Sequence, residues 1–330
     1  MAVHVISVGL SLFRSLEDPD KLTALGQKPE LIKAIGQASP RELLKTAGVL
    51  RAAAPGKAGE AVSDWLSGAL ARPAEQRRDH QAADLLAATA AAIKPEQWTA
   101  RISAELDTFD RARRATIPLG KKDTAVLVCT DTAEDLLAGL WNAVALSGGA
   151  RFLSRIRYLP DPPAQLGSVR NAVLLTRIRY LDASSDSGFA RAMRGLGTLG
   201  RALLDAGDVD PGDPFLFYLS GGYKAAIPYL IGLAEGVRSA APDREVEAFV
   251  LHETSEARAI RLPLRRMPAD CVWEELREFD DRTGICHGEI PEPRTLEGYA
   301  YEKDTRKTFR LTPFGEGLRT LFPRLHEQIK

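Results

Sequence analysis

Pro214-Phe215-Leu216-Phe217-Tyr218-Leu219-Ser220-Gly221-Gly222-Tyr223-Lys224 is the stretch that decides the architecture. Residues 214–219 form a short apolar run of strand character, and Ser220-Gly221-Gly222 breaks it. Ile227, Leu230, Ile231, Ala234 and Val237 then recur at helical spacing, giving the next segment one apolar face. Strand, glycine turn and amphipathic helix together make a βα unit. A second exit of this kind lies at the N-terminus. There Val3-His4-Val5-Ile6-Ser7-Val8 reads as a buried strand running into the turn Gly9-Leu10-Ser11-Leu12.

Outward from these two turns the same alternation continues. Thr124-Ala125-Val126-Leu127-Val128-Cys129 is a strand that runs into Thr130-Asp131-Thr132-Ala133-Glu134, where Asp131 and Glu134 predict a capping box and a helix to about Leu146. Two β-rich runs follow, 151–159 and 171–181, each containing Arg-Ile-Arg-Tyr-Leu, at 155–159 and 177–181. In strands Arg155 and Arg157 share a face, as do Arg177 and Arg179. Five residues are too few for a structural repeat. A solvated strand face accounts for them, with a basic rim around an anionic ligand as the alternative. A helix over 187–206 precedes the 214–219 strand, and strands over 246–251 and 259–264 follow. Alternating strands and helices predict an α/β fold with a Rossmann-like, mostly parallel sheet covered on both faces.

Two segments stand apart from that alternation. Residues 20–115 are alanine-rich and helix-periodic without strand signal, and read as a helical insertion between the first and second strands. Helices are expected around 41–53, 58–71, 74–93 and 95–114, the first opened by Ser39-Pro40-Arg41-Glu42. Residues 1–265 thus form a Rossmann-like domain with an insertion, and 266–330 an appendage. The appendage holds a helix over 270–278, a proline-rich loop, a hairpin of 297–302 and 307–311 across Lys303-Asp304-Thr305, and a last helix opened by Thr312-Pro313. Hairpin and final helix resemble the wing and last helix of winged-helix domains, without a complete three-helix core or a basic recognition helix.

Composition narrows the function classes. Forty-four basic and 44 acidic residues give no net charge over 330 residues, so no long-range positive field favours coating duplex DNA, while small anionic ligands stay open. Cys129, Cys271 and Cys286 form no CxxC pair and no disulfide framework, which suggests a reducing compartment; Cys129 lies in an apolar run and reads as a core residue. The five histidines, His4, His80, His252, His287 and His326, lack metal-ligand spacing, so no metal site is expected. The first strand is too short for a signal sequence, and no apolar stretch is long enough for a membrane span, which leaves the cytoplasm as the expected location.

In an open α/β sheet, ligands bind beyond the carboxyl ends of the strands. The turns at 9–12, 130–132 and 220–224 all lie there. Glycine lets backbone N–H groups approach a phosphate closely, Lys224 can place a full charge on the same anion, Ser11 supplies a hydroxyl, and Ser220 can cap the helix or bind ligand. Taken alone, 220–224 reads equally as a helix start with a surface lysine, and 9–12 reads as a plain strand exit. GxGxxG and a Walker-type loop are both absent, which argues against an ordinary dinucleotide enzyme.

Three of these segments, in this order, resemble the CARF (CRISPR-associated Rossmann fold) family, especially its stand-alone ring nucleases. Val5-Ile6-Ser7-Val8-Gly9-Leu10-Ser11-Leu12 is similar to that family's first strand and its Gly-Thr-Ser-Leu turn. Leu127-Val128-Cys129-Thr130-Asp131-Thr132 resembles a strand ending in Ser-Asp-Thr. Phe217-Tyr218-Leu219-Ser220-Gly221-Gly222-Tyr223-Lys224 resembles Thr-Gly-Gly-Phe/Tyr-Lys. Phe249-Val250-Leu251-His252-Glu253 and Arg261-Leu262-Pro263-Leu264 match its closing strands, so the likeness spans residues 3–264. Leu10 and Ser220 each stand where the family has threonine; Ser220 keeps a hydroxyl and Leu10 loses one.

The resemblance implies a homodimer that binds cyclic oligoadenylate, most often cyclic tetra-adenylate, across its two-fold axis. It also implies metal-independent cleavage in type III CRISPR antiviral signalling, with no cofactor. The ligand's own 2′-hydroxyl would attack the neighbouring phosphodiester and leave linear products with 2′,3′-cyclic phosphate ends. On that reading Lys224 and Ser11 are the catalytic residues. Gly9, Leu10, Leu12, Thr130, Asp131, Thr132, Ser220, Gly221, Gly222 and Tyr223 bind the ligand, no residue is an obvious general base, and turnover is slow. The alternative is a non-catalytic cyclic oligoadenylate sensor acting through its C-terminal appendage, where DNA binding is the less favoured expectation.

Overall fold

The computed structural model describes residues 1–37, 45, 48, 57–70, 80–112, 114–181, 185–222, 224–251, 258–304 and 308–322. Ser39-Pro40-Arg41-Glu42, most of the helix expected over 41–53, Tyr223, His252 and Glu253 therefore lie outside the described residues.

Seven strands form the main sheet: β1 (Val3–Ser7), β2 (Thr124–Cys129), β3 (Ile156–Leu159), β4 (Val173–Arg177), β5 (Phe215–Tyr218), β6 (Val246–Val250) and β7 (Ile260–Leu262). Their order is β3-β4-β2-β1-β5-β6-β7, parallel except for β7, which pairs antiparallel with β6. β1 is central, with Val5 beside Val126 on one side and Phe217 on the other. All five β1 residues are buried, as a parallel strand covered on both faces requires.

The alternation of the pleat divides the core in two. Ile6, Leu127, Cys129, Leu216 and Tyr218 point into one cluster, which the insertion helices close with Leu12, Val62, Leu66, Leu86 and Phe109. Val3, Val5, Val126, Phe215 and Phe217 point into the other, closed by Leu196, Leu199, Leu230, Ala234 and Val237. The expected α/β sheet is present, and the segment between β1 and β2 is helical as read. Its described helices are α1 (Ser11–Leu16), α2 (Pro19–Ala24), α3 (Pro29–Gln37), α4 (Ala58–Ala69), α5 (His80–Ile93) and α6 (Ala104–Arg111).

Three local expectations fail. The helix read over 95–114 is two 3-10 turns, Pro95–Gln97 and Ala100–Ile102, before α6 begins at its Ser103 cap; Pro95 has no N–H to carry a helix through. Residues Ala150–Arg155 form 3-10 turns, so β3 starts only at Ile156 and Arg155 never shares a strand face with Arg157. Arg155 instead donates to the carbonyls of Leu119, Ser147 and Gly120. The cap is shifted by one residue and the box does not form: Thr132 caps α7 (Ala133–Ser147) by accepting from the Asp135 N–H, while Asp135 reaches back past the cap to accept the Thr130 N–H at 2.6 Å.

Beyond β4 come α8 (Asp186–Leu204) and, after β5, α9 (Ile227–Ala240). The C-terminal segment carries α10 (Ala269–Leu276), β8 (Ile285–Cys286), β9 (Tyr301–Lys303), β10 (Phe309–Leu311) and α11 (Pro313–Leu321), with the strands forming a small antiparallel sheet in the order β8-β10-β9. The Thr312-capped last helix is present as expected, and a hairpin is present but shorter than the sequence predicts: its first strand starts only at Tyr301 and takes in Lys303, expected in the turn, and its second starts at Phe309. α11 lies against α8 and α9, where glycines admit it: a side chain at Gly197 would strike the Gly317 carbonyl, and one at Gly232 would strike the Phe314 ring. Glu235 of α9 fastens the segment through Arg265 and the Tyr299 hydroxyl. Burial raises its carboxyl pKa, but these bonds outweigh burial and hold it below the usual range. No helix among the described residues is long and apolar enough to cross a membrane.

Candidate functional site

The chain order places the site. From β1 the chain passes to β2 on one side of the sheet, and only after β4 does it cross to β5 on the other. The carboxyl ends of β1 and β5 therefore flank a switch point, where loops leave to opposite faces and open a crevice. A cavity of about 540 Å³ lies there, lined by both turns read from the sequence.

The two turns are in backbone contact. A Cβ on Gly9 would lie 2.2 Å from the Gly222 nitrogen, and one on Gly221 would lie 2.4 Å from the Ser7 carbonyl oxygen. Gly222 adopts φ +100°, a conformation open to glycine and strained for any other residue. Ser7 ties the strands beneath, its Oγ within 2.7 Å of the Gly221 carbonyl and 3.1 Å of the Tyr218 carbonyl. Only glycines allow the turns this close, so their presence at 9, 221 and 222 follows from packing as well as from any ligand.

Of the residues read from the sequence, Gly9, Leu10, Ser11, Thr130, Thr132, Ser220, Gly221, Gly222 and Lys224 line the cavity. Lys224 is exposed, in a 3-10 turn leading to α9, and among the described residues no carboxylate lies within ion-pair distance of it. Leu10 is 43% exposed, an apolar side chain at the rim.

Two of the expected ligand contacts are elsewhere. Leu12 is fully buried in the core beneath the turn. Asp131 faces away from the cavity, pairing with Arg177 Nε at 2.5 Å and accepting the Tyr180 N–H at 2.7 Å. Arg177 also meets Glu60 of α4 at 2.7 Å. The Arg177 side chain is only 3% exposed and clamps the insertion to the sheet, while Arg179, beyond the end of β4, is 43% exposed and pairs with Asp161, so the two arginines of the second Arg-Ile-Arg motif do not share a strand face. Burial lowers the Arg177 pKa, and its bonds to Glu60 and Asp131 more than reverse that. Ser220 does not cap the helix: its Oγ accepts the Leu251 N–H at 2.7 Å, joining the ends of β5 and β6.

The cavity also holds groups that the sequence did not single out: Arg14, Asp135 and, above all, Glu105. Glu105 is 1% exposed and stands between the two turns. Its Oε1 accepts the Gly9 N–H at 2.8 Å, and its Oε2 accepts the Ser11 hydroxyl at 2.9 Å and the Ser103 hydroxyl at 2.6 Å. The same carboxylate presses on Gly221, where a Cβ would come within 2.3 Å of Oε1. Burial pushes its pKa up, and bonds from Ser103, Ser11 and Gly9 only partly offset that. The Gly9 N–H is therefore already engaged, and of the groups read as a phosphate cradle Gly221, Gly222 and Lys224 are the ones left. No local pattern around Ser103-Ala104-Glu105 announces this role, because Glu105 reaches the site only through the folding of the insertion.

Beneath the site His4, Tyr218, Phe109 and Phe249 form an aromatic cluster, with His4 Nδ1 3.0 Å from the Tyr218 hydroxyl. Searched against models of known protein families and against curated protein sequences, the chain matches none.

Proposed function

We propose that the cavity binds a cyclic oligoadenylate, cyclic tetra-adenylate in the first instance, and that the chain is a metal-independent ring nuclease of CRISPR antiviral signalling. The observation that carries the reading is the meeting of Gly9, Ser11, Gly221, Gly222 and Lys224 on one cavity at the switch point. The ordered motifs that resemble the CARF family contribute those residues from chain positions more than two hundred apart.

The chemistry asks little of the protein. The nucleophile is the ring's own 2′-hydroxyl, so the site must hold an in-line geometry and stabilise charge growing on the phosphoryl oxygens. Lys224 supplies that charge, Arg14 adds a second cation on the wall, and the Gly221-Gly222 backbone brings the phosphate close. Leu10 offers an apolar surface on which a base can rest. A volume of about 540 Å³ sits within the roughly 300–1,000 Å³ usual for small-molecule sites. The homodimer in this reading comes from the resemblance, each subunit holding one half of the ring across a two-fold axis.

A sensor without cleavage is the second reading, and one contact favours it. The turn carrying Lys224 leads directly into α9, and α9 packs on α11 through Gly232 and Gly236. A shift of that turn on binding therefore reaches the C-terminal segment, which on this reading is a winged-helix-like output module.

Incubating the purified protein with cyclic tetra-adenylate in EDTA, with products separated by chromatography, decides between them. Linear products ending in 2′,3′-cyclic phosphate, lost in Lys224→Ala, are expected. A ring bound tightly and recovered intact would favour the sensor, and no binding at all would remove both.

A further inference from the structure

Ser11 is hydrogen-bonded in a way that fixes what it can do for a ligand. A serine hydroxyl has one proton and two lone pairs. The proton goes to Glu105 Oε2 at 2.9 Å, and one lone pair takes the Ala104 N–H at 3.0 Å. What remains is a single acceptor site on a residue that lines the cavity. A hydroxyl entering the cavity can donate to Ser11 but cannot accept from it. A phosphate oxygen, which only accepts, has nothing to gain there.

We infer that Glu105 is the positioning residue that draws the proton from the attacking hydroxyl through Ser11, an inference that rests on the ring-nuclease reading above. The 2′-hydroxyl proton passes to Ser11 Oγ as Ser11's own proton passes to Glu105 Oε2. The 2′-oxygen forms its bond to phosphorus, and the bond from phosphorus to the 5′-oxygen breaks. The 5′-oxygen leaves with the electron pair and is protonated from solvent. Glu105 afterwards returns its proton to solvent, so the ring is isomerised to a linear product with no net proton change.

The surroundings suit that task. The Gly9 N–H and the Ser103 hydroxyl hold the Glu105 carboxylate from two sides, and Gly221 closes a third, so it has no room to turn away from Ser11. Burial makes it a stronger base than an exposed carboxylate, moving it toward the pH at which it must work. The titratable and charged groups that face this region are Asp135 from α7, Cys129 from β2, Lys224 and Arg14 from the cavity wall, and His4 from the cluster against Phe109. The Cys129 thiol is held far above its usual range by burial, with Asp135 and Glu105 adding to it, and His4 is pushed down to about 4 by burial.

Single-turnover cleavage of cyclic tetra-adenylate in EDTA across pH 5–9, with ring affinity measured separately, tests the relay. The wild-type rate is expected to climb with pH and level off. In Glu105→Gln it should fall about 10²–10⁴-fold and lose its pH slope while affinity holds, with Glu105→Asp restoring part of both. Ser11→Ala and the Ser11→Ala/Glu105→Gln double variant should lose the same factor, because the pair acts as one unit. A Glu105→Gln enzyme that keeps the wild-type slope overturns the relay alone, as do losses that multiply in the double variant or a slope that disappears with Asp135→Asn instead. A wild-type protein that binds the ring without cutting it overturns the nuclease reading and the relay together. Should Glu105→Gln fail to fold by thermal melting, Ser11→Ala still decides: a folded Ser11→Ala enzyme that cuts at the wild-type rate ends the proposal.

Discussion

Gly9 and Gly222 touch through their backbones: a Cβ on Gly9 would stand 2.2 Å from the Gly222 nitrogen, where ordinary contact begins near 3.4 Å. The separation of the two turns is thus set by the missing side chain. Gly9→Ala must force them apart, at a cost of about 1–3 kcal/mol, and ring affinity should fall by more than about tenfold as the two halves of the grip lose register. Thermal melting and a binding titration read both effects. Gly36→Ala, in α3 with open space around it, is the control and should cost nothing.

Lys224 behaves in the opposite way. It is exposed and no described carboxylate holds it, so Lys224→Ala should leave unfolding within about 0.5 kcal/mol of the wild type. Cleavage should nevertheless fall roughly 10²–10³-fold, the loss typical of one group aimed at transition-state charge. Lys224→Arg should restore binding more than rate, since the charge returns in a different shape. A Lys224→Ala protein that cuts at the wild-type rate would remove this residue from the chemistry.

The clamp of Glu60, Arg177 and Asp131 is structural on this geometry. Arg177→Met should destabilise the fold by about 1–3 kcal/mol, through the charged hydrogen bond to Asp131 more than through Glu60, which is half exposed and screened. Urea unfolding of Arg177→Met, Asp131→Asn and the double variant gives the coupling directly. Additive losses would mean that the Arg177–Asp131 pair adds nothing to the stability of the fold.

His4 gives the fold a pH dependence of known sign. Burial lowers its pKa from 6.5 to about 4, with Asp123 opposing and Arg114 adding to the shift. As pH falls below 6.5 the unfolded chain takes up the proton first, so stability is full above that value and drops between 6.5 and 4, by up to about 3 kcal/mol. Below about 4 both states are protonated and the contribution stops changing. His4→Gln should flatten the difference in urea midpoint between pH 7 and pH 5; an unchanged difference would assign it to other groups.

What the sequence disclosed is what local chemistry controls. Apolar runs such as 214–219 and 124–129 carry their strand character in every residue, and glycines at 9, 221 and 222 mark the exits wherever the chain goes next. The helical character of the insertion was legible for the same reason. Its detail was not: the periodicity of 95–114 runs through Pro95 and two 3-10 turns, whose i to i+3 spacing mimics a helix. Asp131 and Thr132 are both good caps, and only the pull of Arg177, 46 positions away, removes Asp131 from the contest. Glu105 was invisible on the same grounds, since a carboxylate one residue into a short helix is a common surface feature until the fold shuts it between two turns.

Parallel neighbours such as β1 and β2 need a crossover of only about a dozen residues, and here more than a hundred intervene. The surplus is not ornament. Excise it for a minimal connection and the strands, both glycine bends and the lysine would all persist, yet the crevice would lose the wall that supplies Glu105. Gly9 would then offer its amide to water, and Ser11 would keep its proton.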